Sequence, residues 1–284
     1  MSRRIALVCA LLLGLWPAAA MAQNSGLERL TRPDQITSWK AVGRIDVGGS
    51  HSCTGTLIAA DLVLTAAHCL FGAGNVPVQV SRITFRAGYA DGTAVAEAGV
   101  ARAVVHQAYR PSVTGLQDAE QIRHDVALLE LSSPMSTALV PPFAVDSPGT
   151  GDAVSVVSYA RGRAEALSWQ RVCTVLGRQS GLIAVDCDVW FGSSGAPVFD
   201  RSRGRARIVS IISGGQKDGS TTVALGMELP SLLADLKAQL RAGRGVLQDP
   251  GQVVAPSARR IGAASTERAG GARFVRPPPS ASAP

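Results

Sequence analysis

The stretch "WFGSSGAPVFD", residues 190–200, sets two adjacent serines between two glycines and follows them with a proline and a short apolar run. Gly and Ser are ordinary turn residues, and a bounded apolar run of this length suits a strand. Taken alone, the stretch reads as a glycine-rich turn between strands or as a turn that presents a nucleophile. In the second case the nucleophile is Ser193 or Ser194.

Working outward, strand-like runs with turn punctuation recur on both sides. "WKAVGRIDVGG" (39–49), "CTGTLIAADLVLTAA" (53–67), "SRITFRAGYA" (81–90), "AEAGVARAVVH" (96–106) and "DVALLEL" (125–131) precede the stretch, as do "DAVSVVSYA" (152–160), "RVCTVLG" (171–177) and "GLIAVDCDV" (181–189). "ARIVSIIS" (206–213) and "TTVALGMEL" (221–229) follow it. Many short strands at this spacing, in a chain with 30 Gly and 16 Pro, predict an all-β sandwich or barrel fold. "VPPFAVDSPGTG" (140–151) is a natural linker between two halves. One helix is predicted, in "LPSLLADLKAQLRAGRG" (229–245): Leu229, Leu232, Leu233, Leu236 and Leu240 recur at three- and four-residue spacings, with Ser231 as N-cap and Gly243 as stop.

The ends differ from the middle. Arg3 and Arg4 precede the apolar run "IALVCALLLGLW", and "AMA" at 20–22 fits a small-residue cleavage site, so residues 1–22 read as a signal peptide. The run is short for a membrane span, so no stable membrane anchor is expected once the leader is removed. Residues 23–37 read as a polar, irregular segment, and 244–284 as a disordered tail rich in Arg, Pro and Ala.

With Cys9 gone in the leader, Cys53, Cys69, Cys173 and Cys187 remain. An even number in an exported chain implies two disulfides, with three pairings open. None lies in a CxxC pair, and the His residues form no ligand pattern, so neither metal nor cofactor is expected. The net charge of +7 is a terminal effect: two leader arginines and a net of four positive charges from Arg244 onward leave the globular part nearly neutral. "RSRGRAR" (201–207) reads as a solvated hairpin turn, and no nucleic-acid partner is expected. His51 reads as structural, and His106 and His124 as surface or strand-edge residues.

His68 in "TAAHC", Asp125 in "DVALL" and Ser194 in "GSSGAP" are unremarkable singly, but in this order and with these flanks they form a specific constellation. The three segments resemble the signatures of the chymotrypsin-like (trypsin fold) serine endopeptidases, in particular the compact bacterial branch that includes the glutamyl endopeptidases. The resemblance covers about residues 38–242. It implies two six-stranded antiparallel β-barrels with a C-terminal helix, barrel one at about 38–139 and barrel two at about 152–243, with the site in the cleft between them. It implies a monomeric, periplasmic or secreted enzyme that hydrolyses polypeptides. Ser194 is then the nucleophile, His68 its general base, Asp125 the group that orients His68, and the backbone N–H groups of Gly192 and Ser194 the oxyanion hole. The alternative on the same fold is a binding protein with weak or lost catalysis.

The resemblance also implies disulfides Cys53–Cys69 and Cys173–Cys187, the latter across a hairpin turning near "RQSG". Each closes a loop of about fifteen residues, worth roughly 3 kcal/mol in the chain-entropy view. Asp188 stands six residues before Ser194, where trypsins carry the carboxylate that selects Arg or Lys. It reads equally as a pocket residue or a structural carboxylate, because the Cys that trypsins place between that Asp and the motif is missing here. "RIVSIISGG" (207–215) is expected to pair with the substrate backbone, and it lacks the His of glutamyl endopeptidases, which counts against Glu specificity. Ser193 replaces the carboxylate that pairs with the new N-terminus of activated trypsins. No activation switch of that type, by cleavage near Ile45, is therefore expected.

Overall fold

In a computed structural model, residues 26–112, 117–149, 152–218 and 221–249 are described. The expected signal peptide and nearly all of the expected tail lie outside them.

Strand β1 (Leu27–Arg29) and helix α1 (Pro33–Thr37) lead into β2 (Val42–Val47), β3 (His51–Ala59), β4 (Leu62–Thr65), β5 (Ile83–Ala87) and β6 (Ala96–Val105). Helix α2 (Ala119–His124) and β7 (Ala127–Leu131) complete the first half. The second half holds β8 (Ala153–Ser158), β9 (Ser168–Gln179), β10 (Leu182–Val185), β11 (Pro197–Asp200), β12 (Arg207–Asp218) and β13 (Thr221–Met227), then α3 (Pro230–Ala242) and β14 (Val246–Leu247).

Each half closes on itself. The order β6-β5-β2-β3-β4-β7 returns through a β6–β7 pairing, and β8-β11-β12-β13-β10-β9 returns through β9–β8. All pairings within both rings are antiparallel. The result is two closed six-stranded barrels, the architecture of the chymotrypsin-like proteases. Closure leaves no unpaired edge inside either ring. Alternation puts the core inside: β5 buries Ile83, Phe85 and Ala87 and half-exposes Thr84 and Arg86. The β9–β10 hairpin turns at Ser180 and Gly181, whose φ values of +50° and +81° suit a tight two-residue turn. Across it Cys173 and Cys187 are bonded, and Cys53 is bonded to Cys69. The arginine-rich segment after β11 is an exposed turn.

A cluster of Trp39, Phe143, Trp169 and Phe199, with ring centroids 4.6–6.2 Å apart, joins elements of both halves. The 140–151 linker is tied down rather than loose. Val140 and Phe143 are buried, and Ala144 and Asp146 exchange backbone hydrogen bonds with Ile208.

Four local expectations need correction. The segment before residue 38 is not irregular: β1 adds to β9, and α1 is anchored by buried Ile36, with the Gln35 side chain accepting from Thr31 and Arg32 N–H. The tail begins later than 244. β14 pairs with β6, and the Asp249 carboxylate accepts the N–H groups of Val80 and Ser81. Helix α3 starts two residues early, with Leu229 at the cap and Pro230 in the first turn, so Ser231 lies inside it. Of the two places expected for His106, surface or strand edge, only the surface is excluded: it follows β6 directly and is buried, its ring stacked on His124 at 5.0 Å.

Candidate active site

His68 sits in a 3-10 turn, Ala67–Leu70, directly after β4. The fully buried Ala66 and Ala67 let that turn pack against the barrel, and the Cys53–Cys69 bond ties it to β3. His51 adds a hydrogen bond to the Cys69 carbonyl at 3.1 Å, in keeping with its structural reading.

Asp125 caps the C-terminal end of α2, a helix fixed at its other end by a reciprocal Asp118–Gln121 capping box. Its side chain is fully buried, and both oxygens are used. Oδ1 accepts the His68 backbone N–H at 2.8 Å. Oδ2 lies 2.6 Å from His68 Nδ1 and accepts Ser213 O–H at 2.5 Å and Gln117 Nε2–H at 3.0 Å. Burial pushes the carboxyl upward, but His68 and the Ser213 and Gln117 donors outweigh it and hold its pKa below the ordinary carboxylate value. Burial likewise disfavours a charged His68, yet the Asp125 charge and hydrogen bond lift its pKa above the ordinary histidine value. Ser213 and Gln117 escaped the sequence reading. Ser213 lies in the segment expected to pair with substrate, but nothing local marks its hydroxyl as a partner for Asp125.

Ser194 lies on the turn before β11, and barrel one holds that turn. Thr54 N–H donates to the Ser194 carbonyl at 2.9 Å, and Thr54 Oγ1 donates to the Gly192 carbonyl at 2.9 Å. Thr65 Oγ1 in turn donates to the Thr54 carbonyl. Thr54, fully buried beside Cys53, is thus the link between the turn and the first barrel, a role its sequence context does not announce. The glycines are dictated by the close approach. Gly195 has φ +76°, and a Cβ there would stand 2.3 Å from both the Thr54 carbonyl oxygen and Thr65 Oγ1 and 2.9 Å from Ala66 N. Gly192 has φ +94°, and a Cβ would stand 2.9 Å from Ala160 Cα. The turn therefore abuts the segment leading into His68. Among the described residues the N–H groups of Gly192 and Ser194 donate to nothing, and no hydrogen bond joins His68 to Ser194.

Ser193 points the other way. It is buried, and its Oγ accepts Trp190 N–H at 3.3 Å. Trp190 and Phe191, by contrast, are exposed at 54% and 66%, their rings in edge contact at 5.6 Å beside the turn. Asp188 is exposed, with its N–H donating to Gln170 Oε1 at 2.6 Å.

Residues 53–207, more than half of the chain, match the family model for the trypsin-like peptidase domain. A vitellin-degrading protease of Bombyx mori is 41% identical over 66 residues, 22% of this chain and 25% of that one. Serine protease 56 of Homo sapiens is 33% identical over 99 residues, 35% of this chain and 15% of that one. This chain thus spans a quarter or less of the length of these curated relatives. A solved structure titled "Structure of Glu endopeptidase in complex with MPD" superposes with a TM-score of 0.59 at 19% identity, over 77% of this chain and 98% of that one, a likeness of fold. On the family match, the chain belongs to the trypsin-like peptidase domain family.

Proposed function

We propose that this chain is an exported serine endopeptidase that cleaves polypeptides through an acyl-enzyme. The observation that carries the reading is the buried Asp125 carboxylate set 2.6 Å from His68 Nδ1, with the Ser194 turn, whose Gly192 and Ser194 N–H groups find no acceptor among the described residues, packed against the segment leading into His68. A serine hydroxyl is a weak nucleophile at neutral pH and needs an adjacent base. With Nδ1–H donating to Asp125, His68 keeps Nε2 as the lone-pair nitrogen. Nε2 takes the Ser194 proton as Oγ attacks the scissile carbonyl, and Asp125 stabilises the imidazolium. The N–H groups of Gly192 and Ser194 receive the carbonyl oxygen as it becomes an oxyanion. His68 then protonates the leaving amine, and water repeats the sequence on the acyl-enzyme. The missing His68–Ser194 hydrogen bond is consistent with a resting state, because such contacts tighten when substrate binds.

The two disulfides and the leader-like N-terminus support export, to the periplasm or beyond. Among the described residues no helix is long and apolar enough to cross a membrane. The reading also holds that Ser193 removes the need for a trypsin-type activation cleavage. Ile45 lies fully buried in mid-β2, paired to both Cys53 and Phe85, where a cut would open the first barrel.

Covalent labelling by a fluorophosphonate tests the reading. Label is expected on the purified protein and on Ser193→Ala, and is expected to vanish in Ser194→Ala. Folded, disulfide-bonded protein that takes no label would leave only a binding role on this fold.

A further inference from the structure

The underside of the Ser194 turn holds a cation that the sequence did not announce. Arg163 follows β8 and is held by its own N–H donating to the Ala160 carbonyl at 2.8 Å. Its half-buried guanidinium reaches beneath the turn. Nη1 donates to Ser158 Oγ at 3.1 Å, and Nη2 lies 3.5 Å from Ser193 Oγ. Ser158 and Ser193, both essentially unexposed, lie 3.5 Å apart through their hydroxyls. Ser193 Oγ therefore gathers three groups: Trp190 N–H, the Arg163 guanidinium and Ser158 Oγ. These tie Ser193, which lies between Gly192 and Ser194, to Trp190 two positions before the Gly192 bend.

We propose that Arg163 is the positioning residue of the oxyanion turn, a cation built into the chain that holds Ser193 down so that the N–H groups of Gly192 and Ser194 face outward. The inference rests on the protease reading and adds a residue to the same site. Three facts converge on it. The half-buried guanidinium lies against the Ser158 and Ser193 hydroxyls and the Ser158 carbonyl, none of which carries a compensating charge, so its burial costs free energy. The guanidinium reaches Ser193, the residue between the two N–H groups assigned to the oxyanion hole, so its charge favours negative charge developing on a substrate carbonyl held there. Burial lowers the Arg163 pKa and the charge of Asp188 offsets part of that, although among the described residues no ion pair joins the two. The Asp188 charge thus acts within the chain as well as in whatever pocket role the resemblance implies. A guanidinium also needs no freed N-terminus, so the turn is set as soon as the chain folds.

The test compares Arg163→Ala, Arg163→Lys, Ser193→Ala and Asp188→Ser with wild type, using fluorophosphonate labelling rates and peptide hydrolysis, with circular dichroism and thermal unfolding on each. Misplacing part of an oxyanion hole is expected to slow labelling and kcat by about 10- to 100-fold in Arg163→Ala while KM moves less than about threefold. Millimolar guanidinium is expected to restore part of the rate where equal urea does not, and Arg163→Lys and Ser193→Ala are expected to fall between. Asp188→Ser is expected to slow labelling less than Arg163→Ala does, since among the described residues no ion pair joins the two. A wild type carrying an N-terminal extension is expected to label at the ordinary rate. The proposal is overturned if Arg163→Ala labels within twofold of wild type, if its loss lies in KM alone, if urea rescues as well as guanidinium, or if a free N-terminus is required. Should Arg163→Ala fail to fold, full activity of both Arg163→Lys and Ser193→Ala overturns it instead. A wild type that labels only through Ser194 while these variants behave normally rejects Arg163 alone. A wild type that takes no label rejects the protease reading, and this inference with it.

Discussion

Asp125→Asn isolates the contribution of one proton position. The carboxylate accepts four hydrogen bonds, one at Oδ1 from the His68 backbone and three at Oδ2 from His68 Nδ1, Ser213 and Gln117. An amide of the same shape has one acceptor and one donor end. If its oxygen stays at the Oδ1 position, its NH2 faces His68 Nδ1, which must then become the acceptor. The imidazole proton moves to Nε2, and the base that should serve Ser194 is blocked. If the amide flips, its NH2 meets the His68 backbone N–H at 2.8 Å, donor against donor, in a fully buried place. That orientation costs roughly 1–3 kcal/mol. The first orientation costs less, because the Ser213 hydroxyl can rotate to accept and the Gln117 amide can turn its oxygen inward. The wrong tautomer therefore wins, and kcat/KM is expected to fall by about 10⁴, or about 5 kcal/mol of transition-state stabilisation. The assay is steady-state hydrolysis with fluorophosphonate labelling as a second readout, and thermal unfolding to show that the fold survives. A folded Asp125→Asn protein that keeps a tenth of wild-type activity would refute the role given to His68.

Two further predictions follow from the same geometry. His68 is the base only when neutral, and Asp125 raises its pKa above the ordinary 6.5. A raised pKa extends the protonated form to higher pH, so the acid limb of kcat/KM is expected to inflect above about 6.5 and activity to fall as pH drops through it. Asp125 stays ionised throughout, since its own pKa is held below 3.8, and an inflexion clearly under 6 would contradict the arrangement. Gly195→Ala places a Cβ 2.3 Å from two oxygens at a φ of +76°. It is expected to cost roughly 2–5 kcal/mol in denaturant unfolding and to abolish labelling. Gly204→Ala, with φ +91° but nothing within 4 Å of its Cβ, is expected to cost only about 1 kcal/mol and to label normally. Equal costs for the two would show that Gly195 is not crowded.

What could be read along the chain and what could not follow one division. Period-two burial, glycine turns and the three signature segments are local, so barrel strands such as Ile83–Ala87 and the hairpin turn at Ser180–Gly181 could be anticipated. Elements too short to carry a period were not: β1 has three residues and α1 five, and both are held by contacts with distant parts of the chain. The burial of His106 is not marked in its own segment, since the ring it stacks on, His124, is eighteen positions away.

The same division runs through the site. The pairing of His68 with Asp125 could be anticipated because family resemblance stores a non-local relation in local motifs, and Ser194 is assigned on the same resemblance. Their supports could not be anticipated. Ser213 reaches Asp125 across 88 positions, Thr54 reaches the Gly192 carbonyl across 138, and Arg163 reaches Ser193 across 30. Each of these is a common polar residue in a strand or turn, with no spacing to mark it. Ser193 shows why the distinction matters. In the sequence it registers only as a missing carboxylate, a subtraction. In the fold its Oγ accepts the Trp190 N–H and lies 3.5 Å from the half-buried Arg163 guanidinium, the cation proposed above to hold the turn. A turn stabilised by a residue from its own folded chain is set at folding, whereas one stabilised by a new N-terminus waits for cleavage. On the role proposed for Arg163, the identity of residue 193 bears on when the site forms, and the Arg163 variants test that timing.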